Sequence, residues 1–201
     1  GGHYKVSGGP HGVGISVVNA LSTWLEAQGW YNGRHYRQRF ERGVATETLQ
    51  DLGPTEEHGT LIRFMPDDTI FDTIEFRAET IVHRLRELAF VNRGITITFE
   101  DERNKRYHRF LYKGGITSYV DFLNRNKTTI MKIPIYISGE KDNVEVEVAI
   151  QYNDTYAETM LSFANNINTH EGGTHLVGFR SALTRTVNDY ARRRNLLKES
   201  D

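Results

Sequence analysis

Helical and strand periodicities alternate along this chain, antiparallel hairpins sit beside helices, and one glycine pair divides the order. Together these features predict an α+β fold in two parts. The 201 residues, 38% of them hydrophobic, suffice for one large domain or two small ones. No internal repeat or low-complexity tract is visible.

The first element follows a glycine-rich opening. Val17, Leu21 and Trp24 recur at i, i+4 and i+7, with Val18 and Leu25 on the adjoining strip, and predict a helix that stops at Gly29. Tyr36 to Arg42 and Thr60 to Met65 read as strands. In the second, Thr60, Ile62 and Phe64 alternate with Leu61, Arg63 and Met65 until Pro66 ends the run. From Glu75 the period is helical again, with Ile81, Leu85, Leu88 and Ala89 on one face. Ile95, Ile97 and Phe99 then alternate, Asp101 to Asn104 turns, and Arg106 to Tyr112 pairs back. Lys113-Gly114-Gly115 is the predicted boundary, giving domains at 1–112 and 113–201. Beyond it, Ile116, Tyr119, Val120 and Leu123 mark a helix, and Pro134–Ser138 and Asn143–Tyr152 mark strands. Val144, Val146, Val148 and Ile150 alternate with Glu145 and Glu147, which predicts one packed and one wet face. A strand from Thr159 to Ala164 leads through Asn165-Asn166 to a Gly172-Gly173 hinge. From about Thr174 a long helix carries Leu176, Phe179, Leu183, Val187 and Tyr190.

Composition excludes several classes. The chain has no cysteine, hence no disulfide or thiolate metal site, which fits a reducing compartment. The net charge of -1 calls for neither nucleic acid nor a membrane surface. No apolar run approaches the roughly 20 residues that span a bilayer. The chain opens at Gly1-Gly2 and ends at Lys198 to Asp201 without a closing element, so both ends are expected to be cut.

In YKVSGGPHGVGISVVNALSTWLEAQG, Gly8, Gly9, Gly12 and Gly14 surround His11 just before the first helix. Glycines admit close approach of backbone amides, and a helix start adds the positive end of the dipole, a combination suited to a polyphosphate. A flexible surface loop fits the spacing equally well. The Walker pattern fails, because Gly14 is followed by Ile15-Ser16, and the glycines run in the reverse order of the dinucleotide fingerprint.

YKVSGGPHGVGISVVNALS resembles the lid motif of the ATPase subunits of bacterial type II topoisomerases, DNA gyrase B above all and its topoisomerase IV relative less well. GTLIRFMPD, RLRELAFVNRGITITFEDER and FANNINTHEGGTHLVGFRSALTRTVNDYA carry the same resemblance across essentially the whole chain. It implies the C-terminal part of a GHKL, or Bergerat-type, ATPase sandwich followed by a truncated transducer domain, a mixed sheet with helices on one side. It also implies that amides from Gly9 through Gly14 wrap the β- and γ-phosphates of ATP, with His11 and Val13 against them. The implied ATP-binding set is Tyr4, Lys5, Gly9, Pro10, His11, Gly12, Val13, Gly14, Ile15 and Thr60, the threonine reaching adenine through water. On the residues alone, Thr60 shares the Ile62 and Phe64 face, where a buried hydroxyl needs a partner such as a neighbouring carbonyl. Pro10 departs from the family's leucine; it has no N–H, and it disfavours the α region at Gly9.

The resemblance further implies a cytoplasmic enzyme that uses ATP and Mg²⁺ to drive DNA strand passage and negative supercoiling. Its partners would be two gyrase A chains, a second gyrase B chain on ATP binding, and double-stranded DNA, with no membrane. The family's catalytic glutamate, magnesium-binding asparagine and adenine-reading aspartate lie upstream of the lid, and its transducer lysine lies downstream. The chain alone is therefore expected to lack catalytic residues and metal ligands and to be inactive. Glu26, Glu56 and Glu57 sit in polar surroundings expected to be solvated and unsuited to replace the base. HEGGTH, from His170, reads as a strand-to-helix turn, because a zincin needs both histidines one helical turn apart without glycines between. Arg180, Thr184 and Asn188 form a polar stripe. A solvated face is one reading; the resemblance offers Arg180 as a candidate in the DNA-receiving cavity, touching phosphates without reading bases. The alternative function is a non-catalytic nucleotide-binding or dimerisation piece of another such ATPase, topoisomerase IV B or MutL-like. A plain α+β domain with a flexible loop is the third.

Overall fold

The computed structural model describes residues 13–197. The chain divides into two compact units, the first ending at Ile81 and the second beginning at Val82.

The first unit is built on an antiparallel sheet. Helix α1 (Gly14–Ala20) leads into β1 (Ser22–Tyr31), followed by β2 (Arg34–Glu41), β3 (Val44–Ala45), β4 (Gln50–Pro54) and β5 (Gly59–Pro66). The strand order is β3-β2-β1-β5, and β4 pairs with another part of β2. β1 is thus central, and it carries the unit's buried leucine, Leu25. The helix predicted to reach Gly29 ends at Ala20, and Trp24 and Leu25 belong to β1. The apolar run was too short to separate the two periods, and pairing on both edges decides for strand. Thr23, Trp24, Trp30 and Tyr31 are residue types suited to a pleated surface. Asn32-Gly33 supplies the left-handed pair, φ 51° and 75°, that a two-residue hairpin requires.

The sheet has two chemically different faces. Register aligns Glu26 with Arg39 on one side and Arg63 on the other, a polar row. Ala27, Ile62, Phe64 and Phe40 take the opposite face. Glu26, expected to be solvated, is buried, because Gln28 donates to it at 2.8 Å and Arg37 at 3.0 Å.

Helix α2 (Ala78–Val91) runs across the division, and from Val82 on it belongs to the second unit. There follow β6 (Thr96–Asp101), β7 (Arg106–Leu111), α3 (Ile116–Asn124), β8 (Ile135–Lys141), β9 (Val144–Ile150), β10 (Phe163–Ala164), β11 (Ile167–Asn168) and α4 (Thr174–Arg193). The strands pair as three antiparallel hairpins. Phe90, 1% exposed, stacks on Tyr112 and Tyr119 with ring centroids 3.7 and 4.5 Å away. On α2, Ala89 is buried as expected, but Leu88 is 40% exposed and Phe90 and Glu87 take the interior positions.

Three expectations for this unit change. The β8–β9 hairpin forms in the predicted alternation, yet its apolar face is open over much of its length: Ile137, Val144 and Val146 are all exposed. Alternation reports which face is apolar, and packing needs a second layer, which among the described residues reaches only the end of β9. The strand expected over Thr159–Ala164 is reduced to Phe163–Ala164, paired with β11. Likewise α4 forms from Thr174, but none of its residues is buried, and Val187 and Tyr190 are more than half exposed.

Candidate functional site

Tyr4, Lys5, Gly9, Pro10, His11 and Gly12 lie outside the described residues. Val13, Gly14 and Ile15 form the start of α1. The first intrahelical bond runs from Val17 N–H to the Val13 carbonyl, so the amides of Gly14, Ile15 and Ser16 have no acceptor within the helix. All three residues are exposed, and no side chain caps the helix. A Cβ built on Gly14 would meet nothing within 4 Å. Among the described residues these amides have no strand partner and no cover, and they point where the helix dipole is positive.

Thr60 lies on the face of β5 that also carries Ile62 and Phe64. It was expected to bury its hydroxyl; instead the residue is exposed, because the sheet edge beyond Gly59 carries no covering layer among the described residues. Toward the other end of β5, Phe64, Pro66, Val17, Leu21, Phe71 and Phe76 line an apolar groove of about 310 Å³. Thr60 and Phe64 stand about 13 Å apart along the strand, at about 3.3 Å per residue.

The end of α1 is fixed by residues that motif reading passed over. Asp67 follows Pro66, and its side chain is 1% exposed. Its carboxylate accepts from the Thr69 hydroxyl (2.6 Å), the Thr69 amide (2.9 Å) and Arg42 Nε (2.8 Å). The Thr69 hydroxyl foremost, then Arg42, holds its pKa down to about 2. The Asp67 amide donates to the Leu21 carbonyl at 3.0 Å. A buried carboxylate must be matched by donors, and the Pro66-Asp67-Asp68-Thr69 run, an acid after a strand-ending proline, was the signal that could have found it.

In the second unit, Glu87 is buried and gathers three elements: Arg84 Nη1 at 2.5 Å, Asn168 Nδ2 at 3.2 Å and the Tyr119 hydroxyl at 3.4 Å. Desolvation, and then Glu87, pushes the Tyr119 phenol up to about 12. Arg180 projects from α4 and pairs with Glu158 at 2.5 Å, both half-exposed. His175 Nε2 lies 3.1 Å from Thr169 Oγ1 at the HEGGTH turn. No group of three His, Cys, Asp or Glu side chains that could hold a metal ion occurs among the described residues.

A family model for DNA gyrase B matches residues 115–201. The gyrase B protein of Bacillus mycoides is 53% identical over 203 aligned residues, covering all of this chain and 50% of that protein. Over its whole length the chain is similar to DNA gyrase B. The gyrase B protein of Halalkalibacterium halodurans is 54% identical, with all of this chain and 32% of that protein covered. Among solved structures, the 43K ATPase domain of Thermus thermophilus gyrase B, in complex with an aminocoumarin, superposes with a TM-score of 0.82. That match has 39% identity and covers 94% of this chain and 52% of that one. The α+β, GHKL-type fold expected from the sequence is therefore the fold observed. The chain spans about half, or a third, of the length of these gyrase B relatives.

Proposed function

We propose that this chain is the segment of an ATP-driven type II topoisomerase subunit that runs from the lid of its ATPase domain into its transducer domain. The observation that carries this reading is the exposed, unpaired row of amides at the start of α1, immediately after the glycine stretch. Its chemistry suits phosphate oxygens, which need donors and no bulk nearby. When bound, ATP would supply a cleavable phosphoanhydride, and the residues here would hold and orient it. Gly14 and Ile15 would donate backbone N–H groups to the terminal phosphates, together with Gly9, Gly12, Val13 and His11 of the same motif. Tyr4 and Lys5 would flank the nucleotide. Thr60, on the open face of β5, would reach the adenine end through water.

Hydrolysis would rest on a general base and a Mg²⁺ ligand supplied by the longer protein. The family-model match beginning at Gly115 supports a domain change near Lys113. In the longer protein, nucleotide binding would join two gyrase B chains, and gyrase A would cut the DNA that they pass. Arg180 would line the DNA cavity; its pairing with Glu158 is exposed and worth at most about 1 kcal/mol, so a phosphate could displace it. A cytoplasmic setting follows from the same reading.

The test is a titration of the full-length protein carrying this chain with ATP, alongside a supercoiling assay with gyrase A. Saturable ATP binding and ATP-dependent supercoiling are expected. Absence of nucleotide binding by the intact protein would refute the proposal.

A further inference from the structure

Arg180, offered above as a contact for DNA phosphate, already holds a carboxylate. Its guanidinium pairs with Glu158, 22 residues earlier, and both side chains are about half exposed. Neither side chain makes another hydrogen bond or ion pair among the described residues. The pair is thus neither buried nor part of a network. An exposed pair of this kind contributes little to stability and exchanges readily with other anions.

Glu158 sits on a short span that is fixed at both ends. Asp154 to Thr159 are all exposed, and no helix or strand forms between Asn153 and Phe163. At one end Asn153 Nδ2 donates to the side chain of the buried Asn124 at 2.9 Å, and Asn153 Oδ1 accepts from the Thr155 amide at 2.9 Å. At the other end the Ser162 and Thr169 hydroxyls lie 2.6 Å apart. A carboxylate tethered in this way can leave the guanidinium without leaving its neighbourhood, so it competes at an effective concentration on the order of millimolar. Helix α4 has other holds. His175 Nε2 lies 3.1 Å from Thr169 Oγ1, and Gly173 leaves room for the imidazole where an added Cβ would sit 2.8 Å from it. Leu176, Phe179 and Leu183 are half-buried. Neutralising Glu158 therefore frees Arg180 without releasing the helix.

We infer that Glu158 is a built-in competitor for the phosphate contact at Arg180: double-stranded DNA engages this arginine by displacing the carboxylate. The inference rests on the reading of Arg180 given above. Carboxylate and phosphodiester offer the same anionic oxygens to the same guanidinium. A free anion in solution has to outcompete a tethered one. A duplex held by other cations of the longer protein presents its phosphate at a comparable local concentration and can take the arginine. Glu158 thus reserves Arg180 for DNA that is already captured.

The test uses the full-length protein carrying this chain, together with gyrase A, and reads the concentration of linear double-stranded DNA that half-stimulates the ATPase. Glu158→Gln keeps the size and removes the charge, and should lower that concentration about threefold at low salt. The ratio between the two proteins should shrink toward one as salt rises beyond about 0.1 M, where charges are screened over about 10 Å. A purely structural effect would not follow salt in this way. Glu158→Asp, which keeps the charge, should stay close to the unmutated protein. In an Arg180→Ala background, Glu158→Gln should change nothing further. An unaltered DNA concentration for Glu158→Gln, or the same gain with and without Arg180, would overturn the competition. If Glu158→Gln does not fold, Glu158→Ala decides by the same criteria. Arg180→Ala alone keeps the two readings apart: an unaltered DNA response there removes Arg180 from the DNA path, and the competitor role with it.

Discussion

Asp101 shows at one residue how the fold depends on ionised carboxylates. It is 5% exposed at the end of β6, and Arg103 first of all, then the Arg103 amide and Asn104, hold its pKa near 2 against an ordinary 3.8. A folded-state value below the unfolded one means that the stabilisation is complete above about pH 4 and is lost as pH falls through 2. The Asp67 carboxylate titrates in the same sense. Acid unfolding of the full-length protein, followed by circular dichroism, should therefore steepen below pH 4, and Asp101→Asn should flatten that dependence while reducing stability at pH 7. Pro10 is the other instructive residue. It lies outside the described residues, and its missing N–H removes a potential phosphate donor. Pro10→Leu should tighten the full-length protein's hold on an ATP analogue, as read by calorimetry; unchanged affinity would show that position 10 donates to no phosphate. Residue-level chemistry was partly legible. The glycines and Thr60 were singled out by motif as candidates, but Asp67, Arg42 and Glu87 were not, because burial of a charge emerges only from tertiary contacts that bring distant donors together.

At the scale of elements, strands β2 and β5, the β6–β7 hairpin, α3 and α4 fall close to where periodicity put them. The mistaken long first helix is the informative failure. Val17 to Leu25 carries apolar residues dense enough to satisfy a 3.6-residue period by chance. The correcting signal was Asn32-Gly33: Tyr31 pairs with Arg34 across it, so the preceding ten residues must be a strand. The same device recurs at Arg42-Gly43, Asp142-Asn143 and Asn165-Asn166, each a left-handed pair between two paired strands. Short strands such as β3 and β11 are defined by these turns, not by their own two residues. Between elements, Glu87 ties α2 to α3 and to β11. Glu87→Ala would leave the Tyr119 hydroxyl and the Asn168 amide without this acceptor, at about 1–3 kcal/mol. Denaturant unfolding should show that loss, and Glu87→Gln should show less of it.

At the scale of the whole chain, the likeness to DNA gyrase B and the fold class were readable because long motifs stand in register across the sequence. Packing was less so. The apolar face of β8–β9 and the Leu176, Phe179 and Leu183 side of α4 satisfy sequence rules for a core without being buried in one. A periodic pattern states what a segment could bury, and the covering layer must come from elsewhere. Function at this scale belongs to the longer protein. Arg180→Ala there should reduce DNA stimulation of the ATPase while leaving the basal rate unchanged, since Arg180 pairs with Glu158 on an exposed helix face; full stimulation would exclude it from the DNA path.

The most direct measurement is the amide NMR spectrum of Gly12, Gly14, Ile15 and Ser16 in the full-length protein, selectively labelled. If bare amides at the start of α1 hold the terminal phosphates, these signals should shift with a non-hydrolysable ATP analogue and stay in place with adenosine, while Thr60 responds to both. Unmoved glycine and isoleucine amides beside a responding Thr60 would contradict that assignment.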